Sequence, residues 1–198
     1  MEDQLAQFKS TKITRGRLIL IILALIILGE VIWAVLTLKP SSNIPSAVQQ
    51  QTATSVSLNS EKATVKVGEQ INTTINLSSD IKTDGVDLII KFDPNLLAVS
   101  EATAGAGPVK VGSIYSAYPQ NLLESPGRIV ISGITNQPGG ILANGVFGTI
   151  TFKAKKVGVT DISFEFTPST TTDSNIIESG TGKDVLEKVN NLQLNITP

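Results

Sequence analysis

The side chains with which this chain could do chemistry are carboxylates, because its 198 residues contain no histidine and no cysteine. That composition removes imidazole-assisted nucleophiles, thiolates and the commonest metal ligands. The acids Asp87, Asp93, Asp161, Glu165, Asp173, Glu178 and Asp184 are scattered over alternating positions and turns. Two such acids hydrolyse a glycoside only where their surroundings push their proton affinities apart, and no local pattern here does so. Calcium needs several oxygens converging on one loop, and residues 171–184 carry Asp173, Glu178 and Asp184 without the alternate-position spacing of a dedicated loop. The glycines around 105–108 and 180–183 lack the full phosphate-cradling motif and are turns. Asn72, Asn76 and Asn195 each open an Asn-x-Ser/Thr triplet, which polar strand faces produce by chance. The expectation is a protein with no catalytic residue, no metal and no cofactor.

Surface recognition remains, and the elements that would carry a surface are legible. Ile71, Thr73, Ile75 and Leu77 alternate with Asn72, Thr74 and Asn76. Ile162, Phe164 and Phe166 alternate with Asp161, Ser163 and Glu165, and Leu192, Leu194 and Ile196 with Asn191, Gln193 and Asn195. Period-two alternation makes each a strand with one wet face. Further strands are predicted near 55–59, 63–67, 86–92, 128–134 and 146–154, separated by turn chemistry at Gly68-Glu69, Pro138-Gly139-Gly140 and Gly158. Eight or nine antiparallel strands bury one face each most economically as an all-β, jelly-roll-like sandwich. Lys183–Asn190 is the one helical candidate. Asp93-Pro94 ends a strand, since Asp accepts from nearby backbone N–H groups and Pro presets a turn. Phe92, Leu96, Leu97, Phe147 and Phe152 are assigned to the core.

Ahead of the strands lies a different composition. Leu18 to Leu38 is apolar apart from Glu30, and as a helix at 1.5 Å per residue it is about 31 Å long, the thickness of a bilayer core. Lys9, Lys12, Arg15 and Arg17 precede it and Lys39 follows, a bias that sets the N-terminus in the cytoplasm and the rest outside. The run is longer than the apolar region of a cleavable signal and ends near Trp33, an interfacial aromatic. The expected organisation is a cytoplasmic tail at 1–17, a signal-anchor helix at 18–38, a Ser/Thr/Gln/Pro-rich linker at 39–55 and a domain at 56–198. The lipid bilayer is thus one expected partner, through residues 18–38 of a single-pass cell-membrane protein. A domain of that size can bury a core without bridges. A net charge of −1 with no basic stripe argues against nucleic acid.

Four pieces of the chain resemble the cohesin domain family in order and spacing. Residues 63–79, ATVKVGEQINTTINLSS, are similar to its opening turn and strand. Residues 85–105 carry the aromatic-Asp-Pro-x-x-Leu stretch in Phe92, Asp93, Pro94 and Leu97. GRIVISG at 127–133 resembles the middle strand, and GVFGTITFKAKK at 145–156 a Gly-Val-aromatic-x-Thr-Ile strand. The resemblance covers most of residues 56–197.

What it implies is a non-catalytic cell-surface module that binds a protein partner through a flat sheet face; the family binds dockerins, small calcium-loaded modules. Carried onto this sequence, the implied face holds Asp87 where the family presents an acid, and Ile129, Ile131, Gly133 and Asn136 on the middle strand. Gly133 departs from the larger apolar residue often found there. Alternation adds Ile89 and Lys91 as outward neighbours of Asp87, opposite buried Val86, Leu88, Ile90 and Phe92. Ile89 with Ile129 and Ile131 would make an exposed apolar patch, bordered by Tyr115 and Tyr118. Two alternatives stand beside this one: a carbohydrate-binding module for a wall or extracellular polysaccharide, and a tethered envelope domain with no separable ligand. Few aromatics are available to stack on sugar rings.

Overall fold

A computed structural model describes Leu25, Glu30 and residues 53–100 and 106–198. Leu25 and Glu30 are helical and exposed. The expected tail, spanning helix and most of the linker otherwise lie outside the described residues, as do residues 101–105. No helix among the described residues is long and apolar enough to cross a membrane.

From Thr54 onward the described chain is β-structure. Thr54 is already buried, its hydroxyl 3.2 Å from that of Ser79, and the strands begin at the next residue. In chain order they are β1 Ser55–Ser60, β2 Thr64–Lys66, β3 Gln70–Ser78, β4 Lys82–Lys91, β5 Leu97–Ser100, β6 Val109–Val111 and β7 Asn121–Ser125. There follow β8 Arg128–Ile134, β9 Ile141–Leu142, β10 Gly145–Ala154, β11 Gly158–Phe164, β12 Asn175–Glu178, β13 Lys188–Asn190 and β14 Leu192–Thr197. One sheet runs β13-β1-β3-β10-β5, with β6 also on β10; the other runs β2-β14-β11-β4-β8-β7, with β12 and β9 on β4. The two form an all-β sandwich.

The alternation seen in the sequence is the burial pattern of the long strands. In β3 the side chains of Ile71, Thr73, Ile75 and Leu77 are buried while those between are not. Their inner faces meet in one cluster that includes Phe92, Leu97, Phe147, Phe152, Ile162 and Leu194. Phe92 stands edge-on to Phe152 with ring centroids 5.2 Å apart. Leu96, assigned to the core from the sequence, is half-buried against it. Asp93 closes β4 as expected: its side chain accepts the Asn95 N–H at 2.8 Å and its carbonyl accepts the Leu97 N–H at 2.9 Å.

Two differences from the sequence reading concern element type. Lys183–Asn190 is not a helix: Asp184 bridges Ile177, and residues 188–190 form β13, parallel to β1. The backbone groups there find sheet partners, with the Glu187 N–H donating to the Thr54 carbonyl at 2.9 Å, so a helix would forfeit those bonds. The strand from Ile162 stops at Phe164, and residues 165–174 leave the sheet before β12 rejoins β4. The strand segments outnumber the eight or nine predicted because short edge pieces supplement the long strands.

Candidate recognition face

The outer face of β11-β4-β8-β7 is where the sequence placed its candidate site, and the pairing register fixes what stands on it. Asp87 pairs Ser132, Ile89 pairs Val130 and Lys91 pairs Arg128; on the next strand Leu122 pairs Val130. Directly paired residues share a face, so the outward set on β8 is Arg128, Val130, Ser132 and Ile134. Ile129 and Ile131 point the other way and are fully buried in the core. They therefore form no exposed patch.

Gly133 is also inward. A Cβ there would lie 2.7 Å from the Phe147 ring and 2.8 Å from the Tyr115 ring, so these aromatics occupy the space a larger residue would have taken. Asn136 lies beyond the end of β8, on an exposed loop beside Ser116. Tyr115 and Tyr118 turn inward as well. Tyr115 is 4 % exposed, edge-on to Phe147 and bonded to the Thr83 hydroxyl at 2.8 Å. Burial pushes its phenol up to about 12, the Thr83 bond opposing the shift. Tyr118 is half-buried, donates to the Gly112 carbonyl at 3.1 Å and is raised in the same sense, mainly by burial. Neither ring offers a stacking platform.

Asp87 and Lys91 are exposed on the face. Ile89 keeps outward parity yet is only 8 % exposed, and it stands apart from the inner cluster. Its N–H is held by the Ser174 hydroxyl at 3.0 Å and its carbonyl by the Glu165 N–H at 2.8 Å, so the residues flanking the excursion close against it.

Across the strands the face is a set of rows. One is charged: Glu165 meets Lys91 at 3.4 Å and Arg128 at 3.2 Å, and Arg128 also pairs with Glu124. The next is apolar, Leu122, Val130 and Ile89, with Leu122 42 % exposed. The third is polar: the Ser132 hydroxyl lies between Asp87, to which it donates, and Gln120. Ile134, 41 % exposed, continues β8 beyond it. Each row is about 7 Å from the next, two residues along a strand.

Sequence reasoning missed Arg128, Val130, Ser132, Ile134, Leu122 and Gln120. The signal that could have found the β8 residues was present: once β4 presents 87, 89 and 91, an antiparallel neighbour must present alternate residues, and the polar Arg128 and Ser132 mark which set.

The remaining acids are engaged locally. Asp173 accepts from the Thr170 hydroxyl at 2.7 Å and Glu178 from the Thr181 hydroxyl at 2.7 Å. Among the described residues no group of three or more Asp, Glu, His or Cys converges as metal ligands would. At the far end of the sandwich Lys62 and Glu69 bond at 2.6 Å, which raises the lysine and lowers the glutamate.

A two-sheet sandwich with this strand arrangement is the fold of solved cohesin modules. A type II cohesin from the Acetivibrio cellulolyticus cellulosome superposes with a TM-score of 0.55 at 20% identity, over 72% of this chain and 95% of that one. A cohesin module from a Clostridium perfringens family 33 glycoside hydrolase gives 0.56 at 9% identity, over 73% and 97%. The sixth cohesin of the Acetivibrio cellulolyticus scaffoldin B, solved in complex with a Cel5 dockerin, gives 0.56 at 19% identity, over 74% and 100%. These likenesses concern the fold. The profile of the cohesin domain family matches residues 54–190, and the chain belongs to that family. Cell surface glycoprotein 1 of Acetivibrio thermocellus is 30% identical over 131 residues, 57% of this chain; the chain spans 6% of the length of that relative.

Proposed function

We propose that this chain is a non-catalytic recognition module that binds a protein partner, a dockerin-type module, on the outer face of β11-β4-β8-β7. The observation that carries the reading is the row of exposed Leu122 and half-buried Val130, on the two strands at the β7 edge of the sheet, between a charged row and the Asp87–Ser132–Gln120 row. Partly exposed apolar side chains ringed by polar groups on a rigid sheet are how interfaces obtain buried anchors with a specifying rim. Family membership supports the reading, and cohesin relatives are known in complexes with dockerins. Asp87 and Lys91 serve on the rim, Ile89 as the floor of the apolar row. A polysaccharide ligand is the weaker alternative, since Tyr115 and Tyr118, the candidate sugar-stacking rings, face inward.

The same proposal places the module on the outside of a cell membrane. Its N-terminal apolar run, residues 18–38, is the anchor, and the linker expected at 39–55 is the tether up to the buried Thr54. The cell-surface relative supports extracellular display.

The test is calorimetric titration of the full chain with calcium-loaded dockerin modules. Binding that Val130→Asp weakens by about a hundredfold, while Thr74→Asp on the opposite sheet leaves it unchanged, is the expected result. Equal loss in both variants, or no binding by the native chain, rejects the face.

A further inference from the structure

We infer that Asn144 is a site of self-modification, at which the Gly145 backbone nitrogen attacks the Asn144 side-chain amide, and that the paired hydrogen bonds between Asn144 and Ser79 gate the reaction. Asn144 is the one asparagine of this chain that is followed by glycine. Glycine has no Cβ to hinder the approach of its nitrogen to the preceding side chain. The new bond joins the Gly145 nitrogen to the Asn144 Cγ. The bond from Cγ to Nδ2 breaks, and Nδ2 leaves as ammonia with the proton that the Gly145 nitrogen gives up. The product is a small cyclic imide, which water opens at either carbonyl to aspartate or to isoaspartate. Water is the only co-reactant. Asn144 and Gly145 are both exposed, and nothing lies within 4 Å of a Cβ placed on Gly145, so water reaches the link. The one Asp-Gly pair of the chain, Asp84-Gly85, contrasts with it: Gly85 is buried in β4 and paired on both sides, with Ile134 and with Ile177.

Cyclisation needs the carboxamide to swing onto the Gly145 nitrogen, and the folded chain holds it elsewhere. Its Oδ1 accepts the Ser79 N–H at 3.0 Å and its Nδ2 donates to the Ser79 carbonyl at 2.9 Å. The reaction therefore runs from the fraction of molecules in which this bridge is open, and its rate reports that local opening. The product does not close the bridge again. A carboxylate has no donor for the Ser79 carbonyl and sets acceptor against acceptor. Isoaspartate in addition lengthens the backbone just before Gly145, which pairs Leu77. Ser79 is buried and joins several segments: its hydroxyl donates to the Ile81 carbonyl at 2.8 Å and lies 3.2 Å from the hydroxyl of Thr54, just ahead of β1. Modification thus loosens, irreversibly, the end of the sandwich at which the chain enters β1. The site belongs to the sheet of β3 and β10, so it stands independently of the proposed recognition face.

The experiment incubates the full chain, and separately a peptide of residues 141–148, at mildly alkaline pH and follows both by peptide-level mass spectrometry with isoaspartate detection. Conversion at Asn144 ahead of every other asparagine is expected, about tenfold to a hundredfold slower in the folded chain than in the peptide, with the gap closing as urea is raised. Asn144→Gln, whose longer side chain must close a larger ring, abolishes the conversion on the same timescale. In the converted chain the Ser79 amide exchanges its hydrogen about tenfold faster or more, and the urea midpoint falls. Equal rates in folded chain and peptide, or a gap that urea does not close, overturn the gate. Earlier conversion at another asparagine, or none at Asn144 over about a hundred half-lives of the peptide, overturns the site. A converted chain with native Ser79 protection and an unchanged midpoint overturns the loosening.

Discussion

Val130 and Ile131 are neighbours in sequence with opposite roles, one on the solvent face and the other fully buried. The sequence could not separate them, because Ile129, Val130 and Ile131 are all apolar and alternation vanishes where both faces favour the same residue type. Asp87 and Lys91 are exposed, as alternation expects, because their neighbours contrast with them. Ile131→Ala is expected to cost about 2–4 kcal/mol in denaturant unfolding. Gly133→Ala, which drives a methyl into Phe147 and Tyr115, should cost about 1–3 kcal/mol in the same measurement. Tyr115 adds a pH dependence. Its phenol titrates at about 12 in the folded chain against 10.0 normally, so the folded state holds the proton more tightly. That stabilisation is complete below pH 10 and is lost as pH rises from 10 through about 12, amounting to about 2–3 kcal/mol. Urea midpoints at pH 9 and above pH 11 check it; Tyr115→Phe should flatten most of the slope, the remainder coming from Tyr118 and Lys62, both shifted in the same sense.

Among the elements, β3, β8, β10 and β14 were legible because each is long enough to show alternation or a β-branched run between turn residues. β7, β12 and β13 were not: they span three to five residues and are defined by what they pair with, β4, β8 or β1, rather than by their own pattern. β13 in particular lies in a segment that favours a helix in isolation, and long-range backbone bonds decide otherwise. The β7–β8 hairpin turns at Gly127, whose φ of 87° favours glycine and whose carbonyl accepts the Phe92 N–H at 2.9 Å. Between elements, one side chain substitutes for a strand. Asn144 accepts the Ser79 N–H at 3.0 Å and donates to the Ser79 carbonyl at 2.9 Å, joining the end of β3 to the start of β10. Asn144→Ala removes both partners, and a loss of about 1–3 kcal/mol in thermal or urea unfolding is expected. Glu165→Gln, by contrast, breaks half-exposed ion pairs and should change stability by less than about 1 kcal/mol, with the difference shrinking in high salt.

At the scale of the molecule, the sandwich presents two unlike outer faces. That of β1, β3 and β10 carries Ser57, Asn59, Asn72, Thr74, Asn76, Thr149 and Thr151, hydroxyls and amides that water serves well, with the exposed Val146 beside Asn76 as an apolar exception. That of β11, β4, β8 and β7 carries the exposed apolar row and the charged rim. Fold class and family resemblance were legible because they depend on the order of strands and turns. The proposed recognition face was half legible, because it depends on parity across a pair of strands. The most direct measurement of the central claim is a methyl NMR map of the full chain on addition of a calcium-loaded dockerin module. The account predicts perturbation at Leu122, Val130 and Ile134, with the methyls of Ile71, Ile75 and Leu77 unmoved. Perturbation confined to the exposed valines Val67, Val157 and Val159, or to Val111 and Val146, would contradict it.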